Sequence, residues 1–297
     1  MSSVALLWAV VIGSLLLMFV IALALRVLRK REARRSPLSG KRIGHIPGQQ
    51  LVERANESQD NVALGMLLIF LAGPMTLLSW AVLRLPPERL RYEPGDWIVL
   101  VFFVSLVFWS LRFVLKHLKV ARNARDGLLA ERVTGMQLNR LIEKNCIVMH
   151  DIPADGFNLD HVVIAPGGVY AIETKSFRKP RHDAEPGKPA TVRWAGESLV
   201  FPDFQTKAPI EQARRQAQWL ANFLREAVAT DVAVRPCVAL PGWFIDKSDA
   251  AKKSDVFVFT PMGRGCEYFS YGEGVLAPEQ RALIAKALAL RYPLIDN

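Results

Sequence analysis

The sequence predicts a mixed α/β domain carried behind three membrane-spanning helices. Three observations predict it. The long uncharged runs all fall before residue 116, short apolar strands alternate with amphipathic helices after residue 126, and the positive charge is confined to the first part. Residues 1–125 hold 17 Lys and Arg against 7 Asp and Glu, which accounts for the whole net charge of +10, and residues 126–297 hold 21 of each. The basic balance therefore fits membrane topology and attraction to anionic lipid. It is not a nucleic-acid footprint on the later domain.

Val4–Leu25 and Asn61–Leu83 contain no charge, and Trp97–Leu111 is uncharged and continues past Arg112 to Leu115. About 18 apolar residues in a row are enough to cross a hydrocarbon core as a helix. The predicted spans are about 4–26, 61–83 and 97–115, with Arg112 snorkelling from the last turn of the third. A cleaved signal sequence carries its positive charge before the apolar stretch. Here the charge follows it, in RVLRKREARR, so the first span reads as a retained anchor. Pro74 predicts a kink in the second span, since proline is tolerated in membrane helices.

Loop charge orients the spans. Residues 26–60 carry nine Lys and Arg, whereas the three arginines of 84–96 are offset by Glu88, Glu93 and Asp96. Loops rich in Lys and Arg stay in the cytoplasm. The expected arrangement is a multi-pass inner-membrane protein with its N-terminus outside and residues 126–297 as a cytoplasmic domain. A transport path through the spans is disfavoured, because Arg112 is the one ionisable group in them.

After the third span, residues 116–144 predict a long helix or two, with an apolar stripe through Leu128, Leu129, Val133, Met136, Leu138 and Leu141. CIVMHDIP, HVVIAP and VYAIETKSF read as three strands, the last two joined through Gly167 and Gly168. Arg178–Ala190 reads as a loop, and TVRWAGESLVF as a strand pair turning near Ala195-Gly196. PIEQARRQAQWLANFLREAVA is an amphipathic helix opened by Pro209. VAVRPCVALPG and VFVFTP are further strands, and APEQRALIAKALALRY is a closing helix. There is no internal repeat. Cys146, Cys237 and Cys266 are widely spaced and predict ordinary buried thiols, and the histidines form no HExxH cluster.

One stretch stands out: DHVVIAPGGVYAIETKS, residues 160–176. If Gly167 and Gly168 occupy a two-residue turn at positive φ, Pro166 pairs with Val169, Val162 faces Glu173 and Asp160 faces Lys175. Side chains alternate with a period of two, so Asp160, Glu173 and Lys175 share one face at the open end of the hairpin. Two carboxylates there can hold a hard cation such as Mg²⁺. The ammonium can orient an attacking water or stabilise charge developing on a phosphate. That combination suits phosphodiester hydrolysis. The same three residues also fit a structural ion pair at a sheet end.

The stretch resembles the core of the nuclease-related domain, NERD, a branch of the PD-(D/E)xK restriction-endonuclease-like superfamily. The family core has an acidic residue and His, an apolar strand ending in Gly, and an apolar strand ending in E-x-K. Upstream the family carries a Gly-Glu on a helix, where this chain has Ala130-Glu131. Downstream it carries Asn-Pro-x-x-Gln, where this chain has Ala208-Pro209-Ile210-Glu211-Gln212 and lacks the Asn. The resemblance covers about 126–245. It implies a restriction-endonuclease-like mixed sheet flanked by helices. It also implies Glu131, Asp160 and Glu173 as ligands of Mg²⁺ or Mn²⁺, Lys175 as the catalytic lysine, and Gln212 reaching the site from its helix.

His161 alternates away from Asp160 and is expected to pack or hydrogen-bond. Gln216, one turn after Gln212, is a secondary candidate. Arg178, Lys179, Arg181, Lys188, Arg193, Arg214 and Arg215 are candidate contacts to DNA or RNA, or a solvated surface. Trp219 and Phe223 read as packing residues. The expected function is a membrane-anchored, metal-dependent nuclease. The alternative is a catalytically inactive, membrane-tethered module that binds nucleic acid or protein.

Overall fold

The computed structural model describes residues 48–83, 94–180, 190–229, 231–272 and 274–292. The predicted first span, 4–26, lies outside the described residues, as do Arg181 and Lys188. The chain divides into two compact units. The described parts of one are 54–83 and 94–122, and those of the other are 48–53 and 123–292.

Helix α1, Gln49–Leu83, runs unbroken through Pro74. Thr76 Oγ1 donates to Ala72 O at 2.6 Å, one turn back and beside the proline. Helix α2, Trp97–Asn139, is a single helix of 43 residues. It joins the third predicted span to the helix expected after it, so the change from apolar to polar sequence does not interrupt the backbone. At 1.5 Å per residue it is about 65 Å long, twice the depth of a hydrocarbon core. Two segments, Leu51–Leu78 and Pro94–Lys144, are long and apolar enough to cross a membrane. Their most apolar windows are only 11% buried, unlike the core helix of a globular domain. Phe70, Val101, Phe102, Phe108 and Trp109 all face outward.

In the second unit, α2 ends in a 3₁₀ turn, Arg140–Lys144, closed by Asn145 at φ 59°. Three strands follow as a meander: β1 (Ile147–Pro153), β2 (Asn158–Ala165) and β3 (Gly168–Thr174). A small sheet is built from β4 (Thr191–Trp194), β5 (Leu199–Val200), β6 (Gln205–Thr206) and β8 (Phe244–Lys247). Helix α3, Ala208–Val228, has Pro209 in its first turn, where a missing N–H costs nothing. Strands β7 (Val234–Ala239) and β9 (Phe257–Phe259) complete the larger sheet, and α4, Pro278–Ala289, closes the fold. The strand orders are β1-β2-β3-β7-β9 and β6-β5-β4-β8. The first pairs are antiparallel and β3-β7-β9 are parallel, so the predicted mixed α/β class is the one observed. Strands β6 and β8 were not anticipated. Each is short and half exposed, and pairs only within the small sheet.

The large sheet is buried on both faces. Val163, Ala165, Tyr170 and Ile172 point to one face, where they pack with Leu138 and Leu141 from the end of α2 and with Phe269. Val162, Ile164, Val169 and Ala171 point to the other, under Ala217, Leu220 and Leu224 of α3 and Ile284 and Leu288 of α4. The N-terminal half of α3 covers a third cluster with the small sheet, through Ile210 and Ala213. Helix α3 therefore crosses the face on which odd-numbered residues of β3 lie, and Glu173 is next in that series.

The hairpin register differs from expectation. Ala165 pairs with Gly168, Ile164 with Val169 and Val162 with Ala171. The turn is thus Pro166-Gly167, and the pairing is shifted by two residues. An even shift preserves the faces. It moves the residue beside Asp160 from Lys175 to Glu173. Gly168 has φ 141°, but Gly167 is required for another reason. A Cβ on Gly167 would lie 2.7 Å from Gly272 Cα.

Candidate active site

The site lies at the open end of the hairpin. Continuing the observed registers, Asp151 of β1, Asp160 of β2 and Glu173 of β3 fall in one row across three neighbouring strands. The β2–β3 ladder stops at His161–Ile172 because the next donor is diverted: Thr174 N–H donates to Asp160 Oδ2 at 2.7 Å. A side-chain carboxylate thus replaces a backbone carbonyl where the strands part.

Glu173 is only 3% exposed. A buried carboxylate needs partners, and it has two. Lys175 Nζ lies 2.6 Å from Oε1, and Gln216 Nε2 donates to Oε2 at 2.5 Å. The lysine side chain is 32% exposed, so the ion pair reaches solvent on its lysine side. Gln216 is itself buried, and its Oε1 has no hydrogen-bond partner among the described residues.

Glu131 approaches from α2. Burial first, then Asp151 and Glu173, push its carboxyl up to about 7, against the pull of Lys175. Burial, Glu173 and Glu131 likewise hold Asp160 well above the ordinary carboxylate range, against the Thr174 N–H and Lys175. These shifts place Glu131, Asp160, Glu173 and Lys175 within electrostatic reach of one another. Gly48 also adjoins this group. Its φ is +81°, and a Cβ there would lie 3.3 Å from Glu131 Oε2.

The amide that reaches the cluster belongs to Gln216. Gln212, one turn earlier, is half-buried and makes no hydrogen bond to the four charged residues. Asp151 was absent from the sequence expectations. It is buried, holds φ 48°, and accepts a hydrogen bond from Asn158 Nδ2 at 2.6 Å. An Asp in the left-handed region inside a strand breaks the alternation by which strand faces are read.

His161 packs on the opposite face, fully buried, with its Nδ1 2.8 Å from His150 Nδ1. His150 Nε2 lies 2.9 Å from Asn139 Oδ1, so it carries a proton there. With a neutral ring, His150 Nδ1 then accepts and His161 Nδ1–H donates. Burial lowers both imidazoles, His150 to about 4, which fits neutral structural rings.

Two of the expected nucleic-acid contacts are already neutralised. Arg178 pairs with Asp126, and Arg214 pairs with both Glu197 and Asp255. Lys179, Arg193 and Arg215 remain exposed. Trp219 and Phe223 stack on each other under Arg291, as packing residues. A cleft of about 800 Å³ lies at the turn end of the hairpin, beside Gly167 and Arg235, five residues along β3 from Glu173.

The donor set is oxygen-only, which suits a hard divalent cation. Among the described residues, no three His, Cys, Asp or Glu side chains form a ready cage. Mg²⁺ does not require one, since it usually takes one or two carboxylates and keeps several waters. The placing of Asp160 and Glu173 side by side on β2 and β3 favours a cation, because positive charge would offset two neighbouring carboxylates.

Residues 126–241 match the nuclease-related domain family, NERD. The match covers under half of the chain and contains Glu131, Asp151, Asp160, Glu173, Lys175, Gln212 and Gln216. No curated protein and no solved structure matches the chain.

Proposed function

We propose that this chain is a membrane-anchored nuclease that hydrolyses phosphodiester bonds of DNA or RNA with a divalent cation, Mg²⁺ or Mn²⁺. The observation that carries the reading is the meeting of Asp160, Glu173 and Lys175 at the hairpin end, with Glu131 beside them. Asp160, Glu173 and Glu131 would hold the cation, which when bound polarises a phosphoryl oxygen and acidifies water. Lys175, partly exposed beside Glu173, offers positive charge to a phosphate as negative charge grows on it. Gln216 fixes the rotamer of Glu173. Gln212 is assigned a lesser part at the mouth of the site.

The anchoring reading takes 61–83 of α1 and 97–115 of α2 as spans, with residues 4–26 as a further one. The outward apolar surface of the first two supports it. The loop charges orient the nuclease-related domain, 126–297, towards the cytoplasm from the inner membrane. A second reading, a tethered binding module without activity, is favoured by the closed Glu173–Lys175 pair.

The test is cleavage by the detergent-solubilised full chain of labelled single- and double-stranded DNA and RNA, with Mg²⁺ or Mn²⁺. The nuclease reading expects cleavage lost in Glu173→Ala. Equal activity in wild type and variant, or none in either, leaves the binding module.

A further inference from the structure

On the segment that leaves the proposed site after Lys175, an aromatic cluster ends in one ring, Phe204, that is open to solvent. Phe204 flanks the Pro202-Asp203 turn of the β5–β6 hairpin, which is closed by Phe201 N–H donating to Phe204 O at 2.8 Å. Its ring stacks on Phe201 at 4.5 Å and 10°, and meets Phe177 at 5.5 Å. Phe201 is buried, whereas Phe204 is 38% exposed. One π-face is therefore used against Phe201, and the ring is still open to solvent.

The platform is rigidly backed. Phe201 packs edge-on to buried Trp243 at 4.9 Å, and Trp243 Nε1 donates to Phe177 O at 3.1 Å. Phe177 follows Lys175 by two residues, a chain distance of at most about 7 Å. The open ring thus packs on the segment that leaves the site after Lys175, and that segment also carries exposed Lys179. Scattered exposed apolar residues are ordinary. This one differs because it is already oriented parallel to a fixed ring and packs on the segment that follows Lys175.

We infer that Phe204 is a stacking platform for a base of single-stranded nucleic acid, so that the site takes unpaired strands. The inference rests on the nuclease reading of the same site and names its substrate class. Every base has a π-face, so stacking on Phe204 is tolerant of sequence. In a duplex both faces of each base are already occupied by neighbours, and the ring offers a paired base nothing.

The experiment reads binding, not cleavage. The full chain in detergent with EDTA is titrated into fluorescein-labelled oligothymidine and into a matching duplex. Phe204→Leu keeps the apolar bulk and removes the aromatic face, and Phe204→Tyr keeps the face. Wild type and Phe204→Tyr are expected to bind the single strand more tightly than the duplex. Phe204→Leu is expected to lose about 5- to 150-fold on the single strand, the weight of one base–aromatic stack, and less than about twofold on the duplex. Absence of single-strand binding in wild type, unchanged affinity in Phe204→Leu, or equal losses on both substrates would overturn the inference. A wild type that binds through Phe204 but never cleaves sinks the nuclease reading and leaves this one standing. A wild type that cleaves while Phe204→Leu binds normally does the reverse.

Discussion

Gln216 Nε2 lies 2.5 Å from Glu173 Oε2, across the interface between α3 and the sheet. That single bond ties the helix to the acidic row. It also makes the side-chain amide, with Lys175, a partner of a buried carboxylate.

Gln216→Leu removes the donor and leaves Glu173 Oε2 buried without it. A lost partner of a buried charged group costs about 1–3 kcal/mol. Thermal melts should show that loss, and cleavage should fall at least about tenfold as Glu173 loses its fixed rotamer. Gln212→Leu should do much less to both. The opposite order in a cleavage assay would make Gln212 the site amide.

Glu131 gives a pH signature. Its carboxyl is raised to about 7 in the fold from 4.5. Between these values the folded chain holds a proton that the unfolded chain has shed. Stability from this group is therefore full below 4.5, falls as pH rises to about 7, and is flat beyond. Glu131→Gln should match wild type near pH 4.5. At pH 8, without divalent cation, it should be more stable by on the order of 2 kcal/mol, once the raised proton affinity is discounted for screening by solvent. Urea melts at the two pH values check this, and equal stabilities at pH 8 would remove Glu131 from the buried cluster.

Two glycines should fail in different ways. Gly167→Ala drives a Cβ to 2.7 Å from the Gly272 backbone, which a side-chain rotation cannot relieve. It should lower stability by about 1–3 kcal/mol and leave the chemistry intact in the folded fraction. Gly48→Ala meets the end of the Leu128 side chain at 2.3 Å and Glu131 Oε2 at 3.3 Å, at φ +81°. Left-handed backbone costs a non-glycine residue about 1–2 kcal/mol. This variant should also reduce activity, because Leu128 and Glu131 must shift. Paired melts and cleavage rates separate the two.

Much of this site was legible in the sequence, because the period of two is robust. The expected turn was displaced by one position, yet Asp160 and Glu173 still share a face with Lys175, since the register moved by an even number. An odd slip would have scattered them. Glu131 entered through resemblance alone, as nothing local in a helix advertises a contact with strands. Asp151 and Gln216 were missed or ranked second for tertiary reasons. One lies at a backbone conformation that strand periodicity does not foresee, and the other depends on how far α3 overlaps the sheet. The short strands β6 and β8 have too few residues for any periodicity. The single α2 joins two segments that hydropathy separates, because the backbone of a helix is indifferent to the change from apolar to polar side chains.

The most direct test is calorimetric titration of Mn²⁺ into the full chain in detergent at pH 8, compared with Asp160→Asn. One saturable site in wild type, tightening from pH 6 to 8 as Glu131 sheds its proton, and abolished in the variant, is the predicted result. No saturable heat in wild type, or an unchanged isotherm in Asp160→Asn, would contradict it.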